Sequence, residues 1–260
     1  MICWRGGDRF NKLMDGDTMQ QVYLAIEKDD AVHERESAFW LSRGIASLRA
    51  SSMTEGIEEA TKNQFLYIGI NGDNINFKPQ LPLLREATND PIFIATSAYT
   101  MQKQAEAVSL GADLYGQIGE TPDDNYATVM ANIHALHERA KRRKPNAKLL
   151  FYGDILVAPK HRQVFVIDKE VELTKIDFDL LCLFMNNRGV ILTPEQIYNR
   201  VWKYERAESV DDVVKSAIKR LRKKISGHDT ENGGGFIENI RDVGYRLPIV
   251  MSVKTDILTC

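Results

Sequence analysis

The residues best placed to do chemistry stand at strand tips. The stretch "LYIGIN" (66–71), followed by Gly72 and Asp73, reads as a short buried strand opening into a polar loop. Carboxyl ends of parallel strands are favoured places for ligands and reactions in α/β domains. Here the tip residue is Asn71, whose carboxamide is uncharged and a poor nucleophile. A second tip follows "VYLAI" (22–26) and offers an acid beside a cation, Glu27 and Lys28, with Asp29 and Asp30 next to them. A third follows "PIFIA" (91–95) and offers the hydroxyl of Thr96. Asn71-Gly72 is also a pair prone to deamidation, which turns the amide into an acid.

A different chemistry is written in the last third. In "SVDDVVKSAIKRLRKKI" (209–225) the residues Val210, Val213, Val214, Ala217, Leu221 and Ile225 recur at three- and four-residue steps and make one apolar face. Lys215, Ser216, Lys219, Arg220, Arg222 and Lys223 cover much of the remainder. A helix of this width fits the major groove of DNA, where arginine pairs bidentately with guanine and lysine neutralises phosphate. Arg241 and Arg246 lie on a following hairpin, a shape able to enter a minor groove. His134 and His137 share a helix face, but no third ligand accompanies them, so no metal site is expected. The chain has no GxxxxGK[ST] loop, GxSxG elbow or HExxH, and neither an enzyme nor a cofactor site is expected.

These residues must be held by two architectures. The chain has 260 residues, 43% of them hydrophobic and 27% charged, enough for two globular domains. Its net charge of −2 points to no partner by itself, but about four excess negative charges fall before residue 148 and about two excess positive ones after it. Three cysteines, Cys3, Cys182 and Cys260, match no disulfide or metal pattern and suit a reducing cytoplasm; Cys182 in "LLCLF" reads as a buried thiol. From residue 21 to about 143, five short apolar strands alternate with helices. The expectation is a doubly wound, five-stranded parallel sheet of flavodoxin-like type, α/β in class. The basic run "HERAKRRKPNAK" breaks that pattern. Beyond it come short antiparallel strands, three helices and a hairpin turning near "DVG", an α+β winged helix-turn-helix. Thr193, Pro194 and Glu195 mark a strong helix start. The expected divisions are a flexible leader over 1–18 (Met19 being a possible start), an atypical receiver over 19–136, a basic linker over 137–148, the winged helix over 149–250 and a tail over 251–260.

Residues 148–250 resemble the effector domain of the OmpR/PhoB family of response regulators. The resemblance rests on "LTKIDFDLLCLFMNNRGVILTPEQIYNRVW", "VVKSAIKRLRKKI" and "NIRDVGYRL". It implies helix contacts to DNA from Lys219, Arg220 and Arg222 and a minor-groove contact from Arg241. Ala217 stands where many members have a polar residue, which implies one lost contact. The loop 203–209 corresponds to the segment that meets RNA polymerase in the family. Residues 21–143 are similar in layout to a receiver domain, which places a phosphoryl group on an aspartate at the third strand tip. That reaction uses magnesium held by acids at the first tip, a lysine from the fifth strand and a Thr or Ser from the fourth.

On that layout the acceptor position is Asn71, the acid pair is Glu27 and Lys28, the lysine position is Ile118, and Thr96 remains. With acceptor, one acid and lysine all replaced, the resemblance implies a degenerate pocket and a regulator working without aspartate phosphorylation. Lys28 is expected to pair with Glu27 in place of the metal. In the family the fourth helix, fifth strand and fifth helix form a charged dimer face. Leu114, Asn132 and His134 here imply a constitutive homodimer with more neutral contacts. Two other readings stay open: a sensor whose pocket takes a small molecule or partner, and an architectural DNA-binding protein of weak specificity.

Overall fold

The computed structural model describes residues 21–117, 126–140, 148–203, 208–226 and 236–249. The chain divides into two compact units between Lys148 and Leu149. The leader, the tail, Ile118 and residues 141–147 of the linker lie outside the described residues.

In the first unit, β1 (Gln21–Ile26), β2 (Ile45–Ala50), β3 (Ile68–Asn71), β4 (Ile92–Thr96) and β5 (Leu114–Gln117) form one parallel sheet in the order β2-β1-β3-β4-β5. The helices are α1 (Asp30–Leu41), α2 (Met53–Lys62), α3 (Leu81–Ala87), α4 (Met101–Ser109) and α5 (Tyr126–Ala140). This is the flavodoxin-like order expected from the alternation. Short apolar strands are stable here because helices cover both faces. Asp29, Ser52 and Thr100 cap α1, α2 and α4 with side-chain acceptors, so each helix starts immediately after a strand-end loop. Gly56 lets α2 lie close on β1: a Cβ there would come within 2.4 Å of the Ile26 side chain. On another part of the sheet Tyr23 and Tyr67 stack with centroids 4.8 Å apart, and Trp40, Met130 and Ile133 pack with them. Pairing with β1 starts ahead of Ile68, as the run "LYIGIN" suggests: the Leu66 N–H donates to the Val22 carbonyl at 2.8 Å and the Leu24 N–H to the Tyr67 carbonyl at 3.1 Å, while the Phe65 N–H is taken by the buried Asp90 carboxylate at 2.8 Å.

The second unit opens with an antiparallel sheet of β6 (Leu150–Tyr152), β7 (Ile155–Ala158), β8 (Gln163–Val166) and β9 (Lys169–Glu170). Three helices follow: α6 (Lys175–Asn186), α7 (Pro194–Val201) and α8 (Val210–Ser226). Thr193 caps α7 in a full capping box, with Gln196 rather than Glu195 as the reciprocal partner. The terminal hairpin, β11 (Glu238–Ile240) and β12 (Gly244–Arg246), is joined by a strand absent from the sequence expectation, β10 (Ile191–Leu192), giving the order β10-β12-β11. Two residues carry no readable periodicity. Leu180, Leu181, Phe184, Leu192, Ile197 and Leu221 are central to the core that fastens these elements together. Among the described residues no helix is long and apolar enough to cross a membrane.

Gly244 is where the hairpin meets β10. Its φ is +156°, and a Cβ would fall 2.2 Å from the Leu192 carbonyl oxygen, a backbone atom that cannot swing aside. Gly244→Ala is expected to destabilise this unit by about 1–3 kcal/mol, the usual cost of overpacking, read as a lowered urea midpoint. An unchanged midpoint would mean the hairpin does not depend on that approach.

Candidate nucleic-acid interface and receiver pocket

The first strand tip is organised by Glu27, which is only 2% exposed. A carboxylate so buried needs donors. Its Oε1 accepts the Asp29 N–H at 2.7 Å and the side-chain amide of Asn74; its Oε2 accepts the Asn71 Nδ2 at 2.5 Å. The expected Lys28–Glu27 pair is not formed: Lys28 follows the strand with its side chain exposed, while the carboxamides of Asn71 at the end of β3 and Asn74 in the loop after it reach the acid. The cation at this tip is instead Arg49, from the end of β2. Its Nε donates to the Glu27 carbonyl at 2.9 Å, one terminal nitrogen donates to the Lys28 carbonyl at 2.5 Å, and the other pairs with Asp30.

Asn71 completes its valences locally, its Oδ1 accepting the Asp73 N–H at 2.9 Å. Asp73 in turn binds the fourth strand tip. The Thr96 hydroxyl donates to Asp73 Oδ1 at 2.7 Å, and the Ser97 N–H donates to Oδ2 at 2.9 Å. These bonds, the Thr96 hydroxyl first, hold the Asp73 carboxyl below the usual carboxylate range. The groups present do not fit a magnesium ion. Both Glu27 oxygens are occupied by N–H donors, and Asn71 and Asn74 present nitrogen, not oxygen, to it. Among the described residues no cluster of three His, Cys, Asp or Glu side chains is placed to bind a metal.

In the second unit α8 buries Val214, Ala217, Ile218, Leu221 and Ile225. Ala217 is 2% exposed in the core, so a polar contact there is not merely missing: the position faces away from solvent. Lys215, Ser216, Lys219 and Lys223 line the exposed side. Arg220 and Arg222 differ from the expectation of outward-reaching side chains. Arg220 pairs with the fully buried Asp177 of α6 at 2.7 Å, and Lys224 bonds the other Asp177 oxygen at 3.1 Å. Burial pushes the Asp177 carboxyl up, but the bonds from Arg220, Thr174 and Lys224 outweigh it and the net shift is downward. Arg222 donates to the Ile237 carbonyl at 3.0 and 2.5 Å, tying α8 to the start of the hairpin. Arg246 pairs with Glu238 across the hairpin at 2.7 Å. Arg241 stands at the turn, 96% exposed. Sequence periodicity located the helix and its apolar face; it carried no signal for Asp177, Arg49 or Asn74, whose partners are distant along the chain.

Residues 168–247 match the family described as "Transcriptional regulatory protein, C terminal". Over 166 residues the chain is 32% identical to the transcriptional regulatory protein CiaR of Streptococcus pneumoniae, covering 64% of this chain and 69% of that protein. Over 162 residues it is 30% identical to the response regulator ArlR of Staphylococcus aureus, covering 62% and 68%. The chain belongs to the OmpR/PhoB family of response regulators. Among solved structures it is similar to DrrB of Thermotoga maritima, with 21% identity, a TM-score of 0.35, and coverage of 89% of this chain and all of that one (100%). As a member of this family the protein is a DNA-binding transcriptional regulator, built from a receiver-type unit and a winged helix.

Placing an acid at the tip of the third strand of this response regulator should be costly. Asn71→Asp replaces a donor 2.5 Å from Glu27 with a second carboxylate. Like charges raise the folded-state carboxyl pKa above its unfolded value. The destabilisation therefore builds as pH rises through and above about 4 and fades below it. Thermal melts of the variant and parent from acidic to neutral pH check this; a gap independent of pH would contradict it.

Proposed function

We propose that this regulator grips double-stranded DNA with the outward stripe of α8 and the tip of the wing, and that its receiver holds one state without aspartate phosphorylation. The observation carrying the second half is the 2.5 Å bond from the Asn71 amide to Glu27. The group in the acceptor position is a donor already spent on the neighbouring acid. Asp73 supports the same reading, because its carboxylate takes the Thr96 hydroxyl and the Ser97 amide. An incoming phosphoryl group would have to displace a charge-assisted hydrogen bond, of a class worth roughly 1.5–3 kcal/mol.

For DNA, Lys215, Ser216, Lys219 and Lys223 form the face we assign to the major groove, and Arg241 the minor-groove contact. Arg222 and Arg246 hold the wing to the helix and to itself. A lone winged helix makes a small interface, so tandem half-sites about one helical turn apart call for a dimer. The receiver offers a face for it: Met101 (79% exposed), Ala105 and Val108 form an apolar stripe along α4, the helix that precedes Leu114 of β5. Asn132 and His134 are exposed and carry no fixed charge pair, in keeping with a constitutive contact. The 203–209 loop, of which residues 204–207 lie outside the described set, is the segment we assign to RNA polymerase, in the cytoplasm where both partners reside.

Incubation with acetyl phosphate and magnesium should leave the intact mass of the full chain unchanged. A stoichiometric phosphoryl adduct would overturn phosphorylation independence. Lys219→Ala should weaken binding to all duplexes and flatten the plot of log affinity against log salt by about 0.9. Val108→Glu should turn the parent dimer into a monomer by sedimentation equilibrium. A dimer that survives, or a parent that is monomeric, removes the α4 contact.

A further inference from the structure

We infer that Asp177 is a specificity-determining positioning residue: its buried carboxylate withholds Arg220 and Lys224 from DNA phosphates. The inference rests on the DNA-binding reading and concerns what limits it. The helix α8 carries six cations between Lys215 and Lys224: Lys215, Lys219, Arg220, Arg222, Lys223 and Lys224. Cations that meet phosphate add affinity for every sequence alike, through release of condensed counterions. A recognition helix so densely charged risks holding all DNA equally. The ratio of specific to non-specific affinity is what allows a regulator to find its site.

The fold ties Arg222 to the Ile237 carbonyl and divides the other five cations into two sets. Lys215, Lys219 and Lys223 are exposed along one stripe. Arg220 and Lys224, one turn apart on the flank, converge on the two oxygens of Asp177, at 2.7 and 3.1 Å. The carboxylate cannot follow them toward DNA. It lies in the first turn of α6, where Thr174 caps the helix by accepting the Asp177 N–H at 3.3 Å and the positive end of the helix favours a negative charge. It is fully buried, so leaving either cation would strand a charge away from water. Arg220 is still 47% exposed and Lys224 31%, so both side chains border solvent and would reach phosphate if let go. Both oxygens of a buried carboxylate need donors, and here cations from the flank of α8 supply them. This one holds both cations of the flank and leaves the central stripe alone.

The test uses the full-length chain and two probes: a random-sequence duplex, and the duplex the parent itself enriches from a random pool. Asp177→Asn keeps the shape and removes the charge. It should raise affinity for the random duplex several-fold, steepen the log affinity–log salt slope by about 0.9–1.8, and lower the ratio of enriched to random binding. Circular dichroism establishes that the variant is folded. A folded Asp177→Asn with an unchanged or shallower slope overturns the inference. Should that variant unfold, Arg220→Gln and Lys224→Gln decide: withheld cations leave the parent slope unchanged, whereas a fall of about 0.9 for each would mean that they already meet phosphate. A parent that ignores both duplexes at low salt fails the DNA-binding reading itself, a result separate from either of these.

Discussion

A carboxylate removed from water has to be met by donors brought in with it, and both sites in this chain are built round one. Glu27 at 2% exposure and Asp177 at 0% would each be intolerable alone. The answers differ. Glu27 is met by neutral groups, two carboxamides and a backbone N–H, with the Arg49 guanidinium held on adjacent carbonyls. Asp177 is met by two full cations. The first answer ties the first and third strand tips together and leaves the buried Asn74 Oδ1 without a partner among the described residues. The second fixes the placement of α8, the helix proposed to face DNA.

The secondary structure was largely legible because it is local. Strands of four to six mostly apolar residues, the helix start at Thr193 and Pro194, and the three-four spacing of α8 all declare themselves within a short window. The pocket was half legible. The resemblance named Glu27, Asn71 and Thr96, and the structure brings the first two into direct contact, while Asp73 joins Asn71 to Thr96. Lys28 was the natural partner for Glu27 on the page because it is adjacent. Adjacency is a poor guide at the end of a strand, where successive side chains point in opposite directions. Arg49 lies 22 residues from Glu27 in sequence, yet the parallel register of β1 and β2 sets Ile26 beside Ala50 and so brings Arg49 to the same tip. That register is a tertiary fact.

The same distinction governs α8. Charge density along a helix says how many cations there are, not where they go. Ala217, Val214 and Leu221 define the buried side, and the remaining positions divide by neighbour: one flank meets α6 through Asp177, the other meets the hairpin through the Ile237 carbonyl. The hairpin is braced further by Glu238–Arg246 and by β10, so helix and wing are fastened to one frame. A stripe of lysines and a turn arginine held by one frame can address two grooves with little entropy left to lose on docking.

Regulation has to be argued from what such a frame permits. A switch needs two arrangements of similar free energy and an input that prefers one. In the receiver pocket an alternative arrangement would break the bonds of Glu27 to Asn71 and Asn74 and of Asp73 to Thr96 together, while Arg49 keeps the first loop in place. Bonds to charged groups at roughly 1.5–3 kcal/mol each make that state several kcal/mol higher without a compensating ligand. At about 5.5 kcal/mol of differential binding for a full population shift, an effector acting there would have to supply charge as well as contact. The exposed stripe of α4 carries no such penalty: Met101, Ala105 and Val108 would gain burial in the proposed dimer. If the proposed dimer forms, control by subunit concentration and by DNA, each favouring the assembled form by mass action, is the less costly design for this pocket.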